Sequence, residues 1–209
     1  MIRPLLSVVM PVHGGERWLD AALASIATGP GIAIEVVIRD SSPDRSCTEI
    51  ATRHQGRLSI DYAYMPETAS WTRKTNLAVE AARAEHVAML HQDDLWLPHR
   101  IALAAEMIAR DPDAVLLLTP AQTVDATGRT LGVWRPPFRP GRLAPDVVRD
   151  ALLVQNSIAI PTPVFRRDAY RAVGGLDESL WYTPDWDLWL KLAAHVAVIY
   201  DPRPAPPFR

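Results

Sequence analysis

Hydrophobic and polar positions follow two alternating periods along the first 120 residues. Short apolar runs and one strictly alternating run predict five strands: Leu5–Pro11, Ile34–Arg39, Leu58–Tyr64, His86–Leu90 and Ala114–Thr119. Apolar residues spaced three and four apart predict four helices: Glu16–Thr28, a short helix after Asp44, Thr72–Ala84 and one with Pro98 as its first residue. Strands and helices in this order are typical of a mostly parallel sheet covered by helices on both faces.

The pattern changes after Thr119. Residues 124–129 indicate a hairpin turn, residues 134–142 form a proline-rich loop, and a strand-forming stretch ends at Phe165. Three further helices are predicted, at Pro145–Val154, near Asp168–Val173 and, after the Gly174-Gly175 turn, at Pro184–His195. Because the chain has no internal repeat and no long linker, we expect residues 1–120 and 121–209 to share one sheet within a single domain.

Composition narrows the class of protein. The 209 residues are 48% hydrophobic and 22% charged with a formal net charge of −2, which describes a globular domain and excludes a disordered tail or a coiled coil. The longest stretch without a charged residue has 15 residues, Ala151 to Phe165, and is too short and too polar to span a membrane. The near-neutral charge argues against a nucleic-acid partner. The lone cysteine, Cys47, cannot form an internal disulfide.

Acidic residues follow three of the predicted strands. Asp40 follows the strand Ile34–Arg39, the pair Asp93-Asp94 follows the strand His86–Leu90, and Glu16 lies just beyond the first strand. In an open parallel sheet, ligands bind beyond the carboxyl ends of the strands. Adjacent carboxylates repel each other, and this cost is tolerated where a hard cation lies between them and a bound diphosphate. The alternative is that the acidic pair only caps a turn.

Five ordered segments extend this argument over most of the chain. They are residues 7–13, residues 36–44 with Asp40, residues 75–87 with Asn76, residues 91–98 with the acidic pair, and residues 174–192 with Asp185. Their order and spacing resemble the family 2 inverting glycosyltransferases with the GT-A fold, although Arg39 and His91 stand where that family has aspartates. The resemblance implies an α/β, Rossmann-like, mostly parallel sheet plus a smaller acceptor-side region. Residues 1–120 would then bind the nucleotide sugar and residues 121–209 the acceptor.

The resemblance also implies a reaction and its residues. A nucleoside diphosphate that leaves an anomeric carbon develops negative charge, which a divalent cation neutralises. Asp93 and Asp94 would hold Mg²⁺ or Mn²⁺, and Asp185, at the start of a helix, would remove the acceptor proton. Trp181 is the candidate acceptor contact. The candidate nucleotide-sugar contacts are Pro11, Val12, His13, Glu16, Asp40, Arg73, Asn76, Gln92 and Asp93. Arg73 and Lys74 are candidate phosphate contacts, with ordinary solvated charges as the alternative.

Partners and location are also implied by the resemblance. The donor would be a UDP-, GDP- or dTDP-sugar and the acceptor a glycan or lipid-linked molecule in cell-surface polysaccharide or glycoconjugate synthesis. The location would be cytoplasmic, including the inner face of a membrane. The loop Trp134–Arg142 contains Arg135, Arg139 and Arg142, which are candidates to contact acceptor phosphate or a membrane surface, with an ordinary solvated loop as the default alternative. Two alternatives stay open: a catalytically degenerate nucleotide-binding relative, and a sugar-phosphate nucleotidyltransferase, whose Gly-x-Gly-Thr-Arg loop this chain lacks. A purely structural interaction protein would leave the acids at the strand ends unexplained.

Overall fold

A computed structural model describes residues 3–29, 31–125, 129–194, 197–204 and 207–208. Its strands are β1 (Leu6–Val12), β2 (Ile34–Asp40), β3 (Ser59–Tyr64), β4 (His86–Met89), β5 (Leu116–Leu118), β6 (Ala121–Val124), β7 (Thr130–Trp134), β8 (Gly141–Leu143), β9 (Val164–Arg166), β10 (Val198–Tyr200) and β11 (Pro207–Phe208). Its helices are α1 (Leu19–Ser25), α2 (Ser46–His54), α3 (Trp71–Ala81), α4 (Arg100–Arg110), α5 (Pro145–Val154), α6 (Arg167–Ala172) and α7 (Pro184–Ala193).

Eight strands form one sheet in the order β3-β2-β1-β4-β9-β5-β10-β8. Strands β3, β2, β1 and β4 are mutually parallel, as are β5 and β10, whereas β9 and β8 run antiparallel to their neighbours. This confirms the mostly parallel sheet. The second part of the chain supplies β8, β9 and β10, so residues from both parts lie in the same sheet. A smaller sheet, β11-β6-β7, lies beside it.

Strand β1 shows why the sheet needs helices on both faces. Every residue of β1 is buried, and its side chains alternate between two hydrophobic clusters. Leu6, Val8 and Met10 pack with residues of α1, α2 and α4 on one face. Val9 packs on the other face in a cluster with residues of α3, α5 and α7, including the buried Trp189. A strand buried on both faces is a continuous apolar run, which is the pattern that predicted it.

The predicted hairpin is confirmed in the part that can be compared. Strands β6 and β7 pair antiparallel, with a register shift between Thr123 and Val124. Residues 126–128, at the centre of the predicted turn, lie outside the described residues. Strand β11 pairs parallel with β6, a contact that the sequence pattern did not predict.

Several predicted elements differ in their bounds from the observed ones, and three of these differences are described here. Helix α1 begins at Leu19 rather than Glu16, because the amides of Trp18 and Leu19 donate to the Gly15 carbonyl in a turn that precedes it. Pro98 is not the first residue of α4, which begins at Arg100 after a separate turn. The predicted strand before Phe165 is reduced to β9, since Pro161 and Pro163 have no amide hydrogen for a ladder.

Two further differences concern the proline-rich loop and the end of the chain. The expected loop Trp134–Arg142 contains the start of β8, which pairs antiparallel with β10. The last helix ends at Ala193, and the predicted terminal residue His195 lies outside the described residues. Among the residues that the structure describes, no helix is both long enough and apolar enough to cross a bilayer.

Candidate functional site

A cavity of about 680 Å³ opens where strands β1 and β4 end. Residues from five segments line it: Pro11 and His13 at the end of β1, Trp71 and Lys74 on α3, Gln92 and Asp93 after β4, Ile160 before β9, and Glu178 and Trp181 before α7. This size is typical of a site for a small molecule. The carboxyl ends of parallel strands meet at this edge, which is where an open sheet binds its ligands. A larger groove, between α5, α6 and α7, shares none of these lining residues.

Gln92 joins the loops that follow β1 and β4. Its side-chain oxygen accepts from the His13 amide at 2.8 Å, and its side-chain nitrogen donates to the His13 carbonyl at 2.9 Å. Gly15 is required beside this pair, because a Cβ there would lie 2.8 Å from the Gln92 Oε1 atom. The amide of Gln92 therefore fixes the backbone of the first loop against the acidic segment.

Asp40 fixes the loop after β2 through buried hydrogen bonds. Its Oδ1 accepts from the Ser42 amide at 2.8 Å and from the Ser42 hydroxyl at 2.6 Å. Its Oδ2 accepts from the Tyr62 hydroxyl. Asp40 is fully buried and is not among the cavity-lining residues that the structure describes. The contacts hold Ser42, whose hydroxyl also accepts from the Gly14 amide at 3.0 Å.

Helix α3 places its N-terminus on the cavity wall. Ser70 is the N-cap, and its side chain accepts from the Arg73 amide at 3.2 Å. One turn later, the ammonium group of Lys74 donates to the Val12 carbonyl at 2.6 Å and to the Ser41 hydroxyl at 2.7 Å. Lys74 thus ties the end of β1 to the loop after β2.

The two residues of the acidic pair, Asp93 and Asp94, differ in their exposure to solvent. Asp93 is exposed and lines the cavity, whereas Asp94 is only 5% exposed and does not. The Asp94 amide donates to the His91 carbonyl at 3.1 Å and closes a turn that carries Asp93. No cluster of three or more metal-ligating side chains occurs among the described residues. Mg²⁺ is often held by one or two carboxylates together with substrate phosphates, and Asp93 on the cavity wall fits that donor set.

His91, two residues before the acidic pair, is a neutral side chain near pH 7. Burial lowers its pKa to about 4. Its ring packs edge-on against Trp71, with centroids 5.3 Å apart, and within the described residues its Nε2 atom has no hydrogen-bond partner. His91 therefore packs against helix α3 through Trp71.

Asn76 holds the segment that forms the far wall of the cavity. Its Nδ2 atom donates to the Leu176 carbonyl at 3.0 Å and to Glu178 at 2.9 Å, and its Oδ1 accepts from the Leu176 amide at 3.1 Å. Arg73 pairs with the same Glu178 carboxylate at 3.4 Å. Asn76 and Arg73 are not among the residues that line the cavity, so they reach it through Glu178.

Asp185 lies in the first turn of α7 and is 8% exposed. Its Oδ2 accepts from the Asn156 side chain at 2.9 Å. Burial raises the pKa of Asp185, and this outweighs the opposite effect of the Asn156 hydrogen bond. Asp185 is not part of the cavity lining in the described residues, although Leu180 and Trp181, a few residues earlier, are.

Aromatic residues separate into surface and core. Trp181 is 85% exposed at the mouth of the cavity and packs against the exposed Tyr182, with centroids 5.4 Å apart. Trp189 is completely buried, and the Trp186 indole donates to the Leu152 carbonyl at 2.8 Å. Trp186 is partly buried against the same hydrophobic cluster that contains Trp189, so of these three tryptophans Trp181 is the one open to an acceptor.

Comparison with known sequences assigns the family. The sequence model described as Glycosyl transferase family 2 matches residues 7–172, which is most of the chain. The chain belongs to glycosyl transferase family 2. An uncharacterized glycosyltransferase of Rickettsia typhi is 26% identical over 204 residues, which cover 95% of this chain and 61% of the relative. The O-antigen biosynthesis protein RfbC of Myxococcus xanthus is 29% identical over 197 residues, covering 91% of this chain and 14% of that protein.

Solved structures show the same fold. TarS of S. aureus, residues 1–349 in complex with UDP-GlcNAc, superposes with a TM-score of 0.78 at 21% identity, over 97% of this chain and 58% of that one. The mannosyltransferase PcManGT from Pyrobaculum calidifontis, in complex with GDP-Man and Mn²⁺, gives a TM-score of 0.69 at 19% identity, over 97% and 56%. The family 2 chain therefore has the GT-A fold. It spans about 60% of the length of relatives such as the R. typhi protein.

The structure brings together part of the predicted site. Pro11, His13, Gln92, Asp93 and Trp181 line one cavity. It does not bring these predicted residues to the cavity wall: Val12, Glu16, Asp40, Arg73, Asn76, Asp94 and Asp185. The sequence analysis missed Glu178 as a lining residue and the burial of Lys74. Glu178 lies within residues 174–192, one of the five segments of the resemblance, which was the available signal.

Proposed function

We propose that this chain carries the catalytic site of an inverting glycosyltransferase. Its donor would be a UDP-, GDP- or dTDP-sugar, and its acceptor the hydroxyl group of a glycan or lipid-linked molecule. The observation that carries the proposal is that Asp93, after β4, and Trp181, before α7, line one cavity in a chain of glycosyl transferase family 2. The O-antigen biosynthesis protein among its relatives favours a role in polysaccharide or glycoconjugate synthesis.

The nucleotide would bind along the ends of β1, β2 and β4. His13, held by Gln92, would border the nucleoside, and Asp40 would act indirectly by fixing the loop after β2. Asp93 would hold Mg²⁺ or Mn²⁺ together with the donor diphosphate. When bound, such an ion neutralises negative charge on the leaving phosphate oxygens. The exposed face of Trp181 would pack against an acceptor sugar.

Asp185 is the proposed general base. Its raised pKa makes the carboxylate a better proton acceptor than an exposed aspartate. Glu178 lines the cavity itself, but its carboxylate is partly exposed and already engaged by Asn76 and Arg73. A base on the acceptor side, opposite the departing diphosphate, gives a single displacement with inversion at the anomeric carbon. Because Asp185 does not line the cavity in the described residues, this reaction requires the Asp185 side chain and the acceptor hydroxyl to come closer together than the observed position of Asp185 allows.

The position of Asp185 off the cavity wall favours one second candidate. A nucleotide-binding relative without transfer activity would keep the donor cavity and Asp93 but would have no base in reach of an acceptor. Donor binding alone is common to both candidates. The discriminating property is therefore the fate of the donor sugar in the presence of acceptors.

The experiment is an NMR assay of nucleotide-sugar turnover with Mn²⁺ and a panel of glycan acceptors. The proposal predicts a product whose anomeric configuration is opposite to that of the donor. Asp185→Asn should slow transfer by about 10²-fold or more while the donor still binds. Asp187→Asn is the matched control on the same helix, because Asp187 is paired with Lys191 at 2.6 Å. Loss of transfer in Glu178→Gln but not in Asp185→Asn would reassign the base, and retention at the anomeric carbon would refute the proposal.

We also propose that an exposed apolar surface of this chain contacts a membrane. Trp134, Val147, Leu153 and Val154, here called the α5 face, are all exposed, and Val154 is 84% exposed. Arg135 lines the same depression as Trp134 and Val154. Exposed aromatic and aliphatic side chains beside a cation fit the surface of an anionic bilayer.

A further inference from the structure

Lys74 is an unusual residue to find under a ligand cavity. It is only 1% exposed, and lysine is almost never fully buried unless it is paired with an acid. Here, within the described residues, its hydrogen-bond partners are a main-chain carbonyl and a hydroxyl group, those of Val12 and Ser41. Burial lowers the pKa of Lys74 to about 8, and the negative charge of Asp40 partly offsets this effect. The side chain is therefore still mostly an ammonium ion near pH 7.

One N–H donor of the Lys74 ammonium group is not used by its two hydrogen bonds within the protein. A lysine ammonium carries three N–H donors and no acceptor, and Val12 and Ser41 use two of them. Lys74 also lines the cavity, so the remaining N–H can be satisfied by a ligand there. A buried donor without a partner costs free energy, so a ligand that offers an acceptor oxygen at this point gains more than one that does not.

The sheet order indicates which part of a nucleotide reaches Lys74. The lysine bridges the ends of β1 and β2, whereas Asp93 follows β4, on the opposite side of β1. Neighbouring strands are about 4.8 Å apart. A donor with its diphosphate at Asp93 and its nucleoside along the strand ends therefore places its base, not its phosphates, toward β2. The group that Lys74 meets is then on the edge of the base.

We propose that Lys74 selects the base of the nucleotide donor by donating its third N–H to a keto oxygen. Uracil, thymine and guanine carry a keto oxygen at the position where cytosine and adenine carry an amino group. The ammonium can donate but cannot accept, so it discriminates against an amino group at that position. This inference rests on the proposed function, because it requires a nucleotide in the cavity.

The test is calorimetric titration of the protein with UDP, CDP, GDP, ADP and inorganic pyrophosphate in the presence of Mn²⁺. For the unaltered protein we expect UDP to bind at least about tenfold more tightly than CDP, and GDP more tightly than ADP. In Lys74→Met the ratio of UDP to CDP affinity should fall to about one, while pyrophosphate affinity stays within about twofold.

Ser41→Ala is the matched control. It removes one acceptor of the same ammonium but leaves the donor toward the cavity, so the UDP preference should survive. If Lys74→Met does not fold, Lys74→Leu, which also has no N–H donor, takes its place in the same comparison. Circular dichroism establishes folding before each titration.

Three outcomes would overturn the inference. Equal binding of UDP and CDP to the unaltered protein would refute base selection while leaving the proposed glycosyltransferase intact. If Lys74→Met weakens the affinity for all nucleotides and for pyrophosphate by the same factor, Lys74 contacts phosphate or supports the loops instead of selecting the base. If no nucleotide binds the unaltered protein, the proposed function fails and the inference fails with it.

Discussion

Asp93 and Asp185, the two carboxylates in the proposed reaction, have opposite surroundings. Asp93 is exposed on the cavity wall, where phosphates and water could complete the coordination of a cation. Asp185 is buried, and its described side-chain partner is Asn156. An open carboxylate suits metal binding, and a desolvated one suits proton transfer. The difference in burial therefore underlies the proposed roles, metal binding for Asp93 and proton transfer for Asp185.

The acid limb of the pH–rate profile should report Asp185. Burial raises its pKa above the ordinary 3.8, and the Asn156 hydrogen bond acts in the opposite direction because it stabilises the carboxylate. A base must be deprotonated to act, so the rate should fall as the pH drops through the raised pKa. In Asn156→Ala the carboxylate loses this donor, and the acid limb of kcat/KM should move to higher pH. A limb that stays in place, or moves to lower pH, would contradict the assignment.

At the scale of elements, a buried polar cluster joins β1, β2 and the end of α3. Glu35 on β2 accepts from the Ser7 hydroxyl on β1 and from the Arg83 main-chain amide, each at 2.6 Å, and pairs with the Arg83 side chain at 2.5 Å. The Ala84 amide donates to Ser7 at 3.0 Å. The cluster fixes the strands at the end opposite to the cavity, so we expect it to act on stability and not on binding.

Glu35→Gln should therefore destabilise the fold by about 2 kcal/mol at pH 7, the scale of hydrogen bonds to a buried charge. Burial alone would raise the pKa of Glu35, but the hydrogen bonds from Ser7 and Arg83 hold it below its ordinary value of 4.5. Its contribution is thus complete above pH 4.5 and lost as the pH falls through the lowered pKa. Urea unfolding at pH 7 and pH 3 measures both effects.

The control for this prediction is Glu85→Gln, which removes a surface pair with Arg166. Exposed ion pairs contribute about 1 kcal/mol or less, so this change should cost less than Glu35→Gln. The description of the cluster would be contradicted if both variants lost the same free energy of unfolding, or if the destabilisation by Glu35→Gln increased toward low pH.

The Gly174-Gly175 turn connects α6 to the cavity wall. Both glycines have positive φ, +83° and +69°. A Cβ on Gly174 would meet nothing within 4 Å, whereas one on Gly175 would lie 2.8 Å from Asn76 and 2.8 Å from the Tyr170 ring. Only the second position is required both for its backbone conformation and for space. Because Asn76 also holds Glu178, strain at Gly175 can reach the cavity.

Gly174→Ala should cost about 1–2 kcal/mol from backbone strain alone. Gly175→Ala should cost at least about 1 kcal/mol more, because Asn76 or Tyr170 must move. It should also weaken donor binding, which Gly174→Ala should leave unchanged. Thermal unfolding and calorimetry on the two variants measure these differences. Identical behaviour of both variants would show that the contact with Asn76 is unimportant.

Elements with a strong apolar period were predictable, and short strands were not. Helix α5 has the predicted bounds, Pro145–Val154, because proline marks its start and the apolar stripe its length. Strands β8 and β11 have three and two residues, too few for a period, and depend on pairing with distant strands. At the site, the acidic loop was predictable from chemistry. The burial of Lys74 was not, since lysine is ordinarily exposed and only tertiary packing places it inside.

At the scale of the whole molecule, donor site and apolar surface belong to different parts of the chain. The cavity forms mainly between the ends of β1 and β4, helix α3 and the segment before α7, whereas the α5 face is built from β7 and α5. A site that faces a soluble donor can thus lie next to a surface that faces a lipid-linked acceptor. The two surfaces can be tested independently, because they share no lining residue.

The α5 face should bind anionic membranes weakly. We expect the protein to sediment with phosphatidylglycerol vesicles more than with phosphatidylcholine vesicles, and less in high salt. Val154→Asp and Arg135→Glu should each reduce this binding, while UDP binding stays unchanged. Sedimentation that is independent of lipid charge, or unaffected by both substitutions, would contradict a membrane role for this face.

The central claim is that the cavity beside Asp93 binds a nucleoside diphosphate with a divalent cation. Calorimetric titration of UDP or GDP, with Mn²⁺ and with EDTA, tests it most directly on the unaltered protein, Asp93→Asn and the surface control Asp150→Asn. The account predicts binding that requires Mn²⁺, falls at least about tenfold in Asp93→Asn and persists in Asp150→Asn. Absence of binding by either nucleotide, or binding that Asp93→Asn leaves unchanged, would contradict it.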